Sequence, residues 1–159
     1  MALGAAMLVA GGCETMTDTT AAVRERWAAR HAGQVREYAT PPRAAYDLLR
    51  RAAEQMGYRF LRGGPAQGIF EAISSVRAGE THGSARQLRL QATLRPTGDG
   101  TGTQVTARLT EVLEADSSNR AGQAVEVPLR DTPQYQVLFD RIGELLAAEN
   151  RTTTGQKSR

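Results

Sequence analysis

The chain has 159 residues, 40% of them hydrophobic and 23% charged, with a formal net charge of +3 and a single cysteine. That length suits one domain of ordinary size whose core needs no covalent staple, and one cysteine excludes both an internal disulfide and a cysteine-rich metal site. The basic residues are almost all arginine, Lys157 being the only lysine, and so small a charge excess gives no reason to expect a nucleic-acid partner.

The first element is a short apolar stretch, Ala2 to Ala10. It falls far short of the ~20 residues that cross a bilayer but has the length of the apolar centre of a signal peptide. It ends in Ala10-Gly11-Gly12-Cys13, and the chain turns polar at once, Glu14 to Thr20 showing no apolar period. These residues resemble the bacterial lipoprotein signal, the lipobox, in which small residues precede a cysteine that becomes the lipid-modified mature N-terminus. Ala10 stands where that family prefers leucine. The resemblance implies a signal peptide over residues 1–12 and lipidation of Cys13 by a diacylglycerol with an added N-acyl chain. It also implies a membrane anchor facing the periplasm. Each buried CH₂ contributes about 0.8 kcal/mol, so two or more acyl chains hold stably where one is marginal. Glu14 stands where an aspartate in enteric lipoproteins favours the inner membrane, which implies the outer one here. Signal peptides begin with a basic region, yet no Lys or Arg precedes Arg24; we therefore expect the natural start upstream of Met1. The competing reading is a buried helix with a free core cysteine, and the Thr-rich tract that follows argues against it.

Residues 13–33 then read as a lipidated tether and a short helix. Thr20 caps the helix, Val23 and Trp27 share one face, and Gly33 ends it. Either Trp27 packs onto the domain, or it faces lipid with Arg24, Arg26 and Arg30 on phosphates.

The folded unit is expected over residues 34–149. Gln34 to Tyr38 alternates as a half-buried strand. Thr40-Pro41-Pro42 starts a helix with Thr40 as its cap, Ala45, Leu48, Leu49, Ala52 and Met56 form its buried stripe, and Gly57 ends it. Tyr58 to Leu61 and Gly68 to Val76 read as strands about a Gly63-Gly64-Pro65 turn, and Arg77 to Arg86 as loop. Leu88, Leu90, Ala92 and Leu94 alternate with Arg89, Gln91, Thr93 and Arg95. Beyond a Gly-rich turn, Val105, Ala107, Leu109 and Leu113 line the returning strand, with Thr106, Arg108 and Thr110 outside. Asp116 to Gly122 is loop and Val125-Glu126-Val127 an edge strand. Asp131-Thr132-Pro133 starts a last helix with a stripe of Tyr135, Leu138, Phe139, Ile142, Leu145 and Leu146. Residues 150–159 read as a disordered tail.

A sheet with one apolar face needs a cover, and two amphipathic helices supply it. The expected fold is α+β, a two-layer, helix-grip-like sandwich with an antiparallel sheet of four to six strands. Met56-Gly57-Tyr58, Gly68-Ile69-Phe70 and the spacing Asp131, Pro133, Tyr135, Phe139 resemble the small domains of the C lipoprotein of the outer-membrane β-barrel assembly machine. Other envelope lipoproteins with that last motif are equally similar. The matched positions are core, cap and turn residues, so the resemblance implies a fold and no activity.

The sequence offers no catalytic constellation. Ser74, Ser75 and Ser84 lack a nucleophile-elbow context. The histidines His31 and His82 are isolated in Gly- and Ala-rich sequence, and two separated histidines do not complete a zinc site. Glu71 and Glu111 are the only candidate acid pair. Arg89, Arg95 and Arg108, on the sheet's outer face, are candidate binding residues for anionic lipid, peptidoglycan or nucleic acid, the competing reading being a solvated face. We expect no enzyme, no metal and no cofactor beyond the acyl groups on Cys13. The expected role is a lipid-anchored envelope protein that engages another envelope protein through the sheet face or the 77–86 loop. The alternative is a binding module for a small apolar ligand or envelope polymer, its cavity left open by Ala45, Ala52, Ala92 and Ala107.

Overall fold

The computed structural model describes residues 33–78, 85–114 and 124–156. The chain divides into two units, Met1–His31 and Ala32–Arg159, and all described residues belong to the second. Cys13, the Trp27 helix, both histidines and most of the two polar loops lie outside the described residues.

The element order is β1 (Gln34–Tyr38), α1 (Pro42–Gln55), β2 (Tyr58–Gly64), β3 (Ile69–Ser74), β4 (Arg77–Ala78), β5 (Ala85–Pro96), β6 (Thr103–Glu114), β7 (Ala124–Leu129) and α2 (Pro133–Gln156). Every strand pairing is antiparallel. The two long central strands, β5 and β6, pair from Ala85↔Glu114 to Pro96↔Thr103. β3 and then β2 lie outside β5, while β1 and β7 follow one another along the far side of β6. This is the expected α+β two-layer sandwich. Among the described residues the sheet has seven strands, against about four to six expected; the additional one is the two-residue β4, Arg77–Ala78, which pairs with Ala85–Arg86 in the stretch read as loop.

The alternation read from sequence sets the faces. Leu90, Ala92 and Leu94 on β5 and Val105, Ala107 and Leu109 on β6 are buried, joined by Phe70 and Ala72 from β3. Both helices pack onto this face. α1 contributes Ala45, Leu48, Leu49 and Ala52, and α2 contributes Tyr135, Leu138, Phe139 and Ile142. Ala45, Ala52, Ala92 and Ala107 sit inside this core, where their small side chains let helix and sheet approach closely.

Several local expectations are corrected. Thr40 does not cap α1: no side-chain cap bond forms at Pro41. Thr40 is buried instead, its N–H donating to Tyr38 O at 2.9 Å and its carbonyl accepting the Thr103 hydroxyl at 2.6 Å. β2 runs on through Gly64, and the turn lies one step later, closed by Gly68 N–H on Pro65 O at 3.3 Å with Gly68 at φ 62°. Gly68 also receives the Leu94 N–H at 2.8 Å, so a side chain there meets both the left-handed penalty and the Leu94 carbonyl. α2 continues to Gln156, past residue 150 where the tail was expected. No proline interrupts that stretch, and Thr152 Oγ1 returns a bond to Ala148 O at 3.1 Å.

Hydroxyl groups pin α2 to the sheet. Tyr38 Oη donates to Phe139 O at 2.8 Å. Tyr135 Oη accepts the Leu109 N–H at 2.8 Å and donates to Leu129 O at 2.7 Å. Leu109 and Leu129 face each other at the first rung of the β6–β7 ladder, so the hydroxyl is inserted between them as a bridge. An exposed pair, Arg36–Asp140 at 2.7 Å, ties β1 to α2, with Arg36 stacked over the Phe139 ring. Arg51 and Glu149 join the two helices.

Tyr135→Phe leaves a buried N–H and carbonyl without the bridging oxygen. It is expected to lower stability by about 1–3 kcal/mol, read as a shift in the urea midpoint.

Burial pushes the Tyr38 and Tyr58 hydroxyls up to about 12 from the ordinary 10.0. Burial raises Tyr46 and Tyr135 as well. The folded chain therefore holds phenolic protons that the unfolded chain releases near pH 10, and stability falls as pH rises from there toward 12, with no contribution from these groups below it. Tyrosinate absorbance should stay low through pH 10 and rise together with loss of far-ultraviolet circular dichroism.

Candidate functional site

The inner face of the sheet is longer than its core. On β5 and β6 the fully buried inner residues stop at the Leu90–Leu109 pair; the next inner pairs are Leu88–Glu111 and Arg86–Leu113, all only partly buried. Beyond them β7 places Val127 opposite Glu111 and Val125 opposite Leu113, and both valines are exposed, by 40% and 58%. Val137, on the first turns of α2, is 48% exposed. This end of the sandwich is a groove of about 530 Å³ between the C-terminal end of α1, the start of α2 and the sheet. That volume lies within the roughly 300–1,000 Å³ of small-molecule sites.

The floor is apolar, formed by Met56, Leu88 and Leu129 with Val137 on the rim. The walls are polar: Gln55 from α1, Arg77 from β4, Arg86 and Glu111 from the central strands, and Gln134 and Arg141 from α2. Arg86 Nε lies 2.6 Å from Glu111 Oε1, within ion-pair distance although its N–H is not aligned on that oxygen. Arg141 pairs with Glu144 at 3.1 Å. Arg77 faces no carboxylate at ion-pair distance among the described residues. The Tyr58 hydroxyl, which feels the Arg77 charge, donates to Gln134 Oε1 at 3.3 Å.

The outer-face candidates fare differently. Arg89 is engaged structurally: Glu71, itself buried, lies 3.6 Å from Arg89 Nε, Arg89 Nη1 pairs with Glu126, and Arg62 reaches Glu71 from the other side. The four charges bind β2, β3, β5 and β7 together across the sheet. Arg95 is exposed. Arg108 lies opposite Gln91 on the same face and is not free. The three do not form one patch: Arg89 is bound into the ion-pair network, and Arg95 lies near the far end of β5. Glu71 and Glu111 are not brought together. Glu71 shares the outer face with Gln91, whereas Glu111 shares the inner one with Leu88. An acid pair between them is therefore excluded, and each faces an arginine instead. The core alanines line no part of the groove.

Among the described residues no group of three His, Cys, Asp or Glu side chains is placed to hold a metal ion, and no helix is long and apolar enough to cross a membrane. Sequence reading missed the groove, having treated Arg77 and Arg86 as loop. The available signal was a break in pattern: Arg86 and Glu111 are charged residues at positions where the inner alternation demands apolar ones. No family model matches the chain, and no curated protein matches it.

Arg89→Ala leaves the buried Glu71 with one exposed partner and should cost about 1–3 kcal/mol. Arg95→Ala should change stability by less than about 0.5 kcal/mol. Chemical denaturation of the two variants separates the structural arginine from the solvated one.

Proposed function

We propose that the chain is a lipid-anchored cell-envelope protein, held by acyl groups on Cys13 with its domain facing the periplasm, and that the domain acts as a non-enzymatic interaction module. The observation that carries this reading is the position of the one cysteine, directly behind Ala10-Gly11-Gly12 at the end of an apolar run and ahead of a polar tract. Glu14 supports the outer membrane over the inner. An anchored domain works at high local concentration near its partners, so a weak contact suffices. The surface best suited to that contact is the open end of the sheet's inner face, where Val125, Val127 and Val137 remain exposed. A second reading, a module that holds a small ligand, is favoured by the groove at the same end, whose apolar floor and few polar wall groups match the usual make-up of a ligand site.

The anchor is tested by expressing the gene with its upstream sequence in a bacterium, labelling with a palmitate analogue and measuring the mass of the mature N-terminus. The wild-type chain should carry acyl groups on Cys13 and sediment with membranes, and Cys13→Ser should do neither. An unmodified thiol in a soluble, intact chain overturns the proposal.

A further inference from the structure

We infer that the groove binds a single-chain amphiphile with a carboxylate head, of the fatty-acid type, the head on Arg77 and Gln134 and the chain along Met56, Leu88, Leu129 and Val137. The inference deepens the second reading above and is independent of the anchor.

The charge arithmetic of the groove selects the head. Among the described residues its lining carries three arginines and one glutamate. Arg86 is set against Glu111 and Arg141 against Glu144. Arg77 remains, with no carboxylate opposite it among the described residues, so the described lining carries one positive charge without a partner. A monoanion supplies that partner. A guanidinium takes a carboxylate through two parallel N–H bonds. Gln134 adds to the same place, because its side-chain carbonyl is occupied by the Tyr58 hydroxyl at 3.3 Å and its amide N–H groups are left to donate.

The floor selects the body. Leu88 and Leu129 are partly buried residues that continue the core to its edge, and Met56 joins them from α1. Methionine adapts to irregular apolar partners. A flexible hydrocarbon chain covers this strip without leaving a polar group unpaired, whereas a sugar or a nucleotide base buries hydroxyls or ring nitrogens against it at a cost. One wall is fixed in place: Gln134 and Val137 flank Tyr135, whose hydroxyl is bonded to both β6 and β7.

The test uses the full chain carrying Cys13→Ser, so that no acyl group of its own competes and failure here is separate from failure of the anchor. Sodium dodecanoate below its micelle concentration is titrated calorimetrically, with nuclear magnetic resonance following the amides of Tyr58, Leu88 and Leu129. Saturable binding is expected, with shifts confined to the groove and affinity at least about tenfold above that of dodecyltrimethylammonium, which has the same chain and the opposite charge. Arg77→Glu should weaken dodecanoate about tenfold, while Arg43→Glu, on the exposed face of α1, should not change it. The inference is overturned by the absence of saturable binding, by equal affinity for the cationic amphiphile, or by indifference to Arg77→Glu. Tighter binding of dodecyl phosphate than of dodecanoate overturns the assignment of a monoanionic carboxylate.

Discussion

The Tyr135 hydroxyl occupies a position on which the rest of the domain depends. β6 has two successive partners along one side: β1 over its first half and β7 over its second. Where one gives way to the other, the backbone ladder has to be restarted, and a buried N–H at such a junction is expensive if left unmet. Tyr135 meets it. One oxygen accepts from Leu109 and donates to Leu129, so the first turn of α2 is bonded to both strands at their junction. Three residues of the motif, Pro133, Tyr135 and Phe139, thereby have a structural role in this chain. Thr132 and Pro133 begin the helix, Tyr135 closes the ladder, and the Phe139 ring lies under Arg36 while its carbonyl takes the Tyr38 hydroxyl. The helix is fixed at two points, to β6–β7 and to β1.

From this anchoring follows the shape of the groove. The central hairpin extends beyond the helical layer, because twelve-residue strands rise by about 3.4 Å per residue and a short α1 cannot cover all of that length. At the covered end the inner register is apolar. At the uncovered end it holds Leu88, Glu111, Arg86 and Leu113, a mixture that neither packs as core nor behaves as ordinary solvated surface. The outer face solves a different problem. There the buried Glu71 is held among Arg62 and Arg89, and Glu126 extends the network to β7. Charges on that face join strands to one another. In the groove Arg86 and Glu111 likewise pair across β5 and β6, while Arg77 has no carboxylate at ion-pair distance among the described residues.

The elements were largely legible because their periodicities are strong. The period-two run Leu88–Leu94 marked a central strand, and the wide stripe of the last helix placed it against the sheet. Ends were less legible. β4 is invisible in a Gly-, Ser- and Thr-rich stretch, since its pairing is imposed by the neighbouring β3 and β5 rather than by its own two residues. α2 outran its apolar stripe because a helix already nucleated by packing extends through threonines at modest cost. Thr40 looked like a cap, and its hydroxyl was displaced from that role when its backbone was buried against Thr103. The site was readable only in hindsight, from charges standing in the inner register of otherwise apolar strands. The grouping of Arg77 with Arg141, from elements far apart in the chain, depends on tertiary placement that no local pattern encodes.

The proposed anchor and the proposed groove are physically separate claims about separate parts of the chain. One concerns where the domain is held, the other what it can hold. The second depends on a single structural fact: that the inner face is open beyond Leu90 and Leu109. The most direct measurement of that fact is thiol reactivity in the Cys13→Ser chain, comparing Leu88→Cys, Val127→Cys and Leu90→Cys for the rate of modification by a maleimide under native conditions. Fast modification after Leu88→Cys and Val127→Cys with protection after Leu90→Cys is the predicted result. Protection of all three thiols to the same degree would mean that this end of the sheet is closed, and would contradict the account.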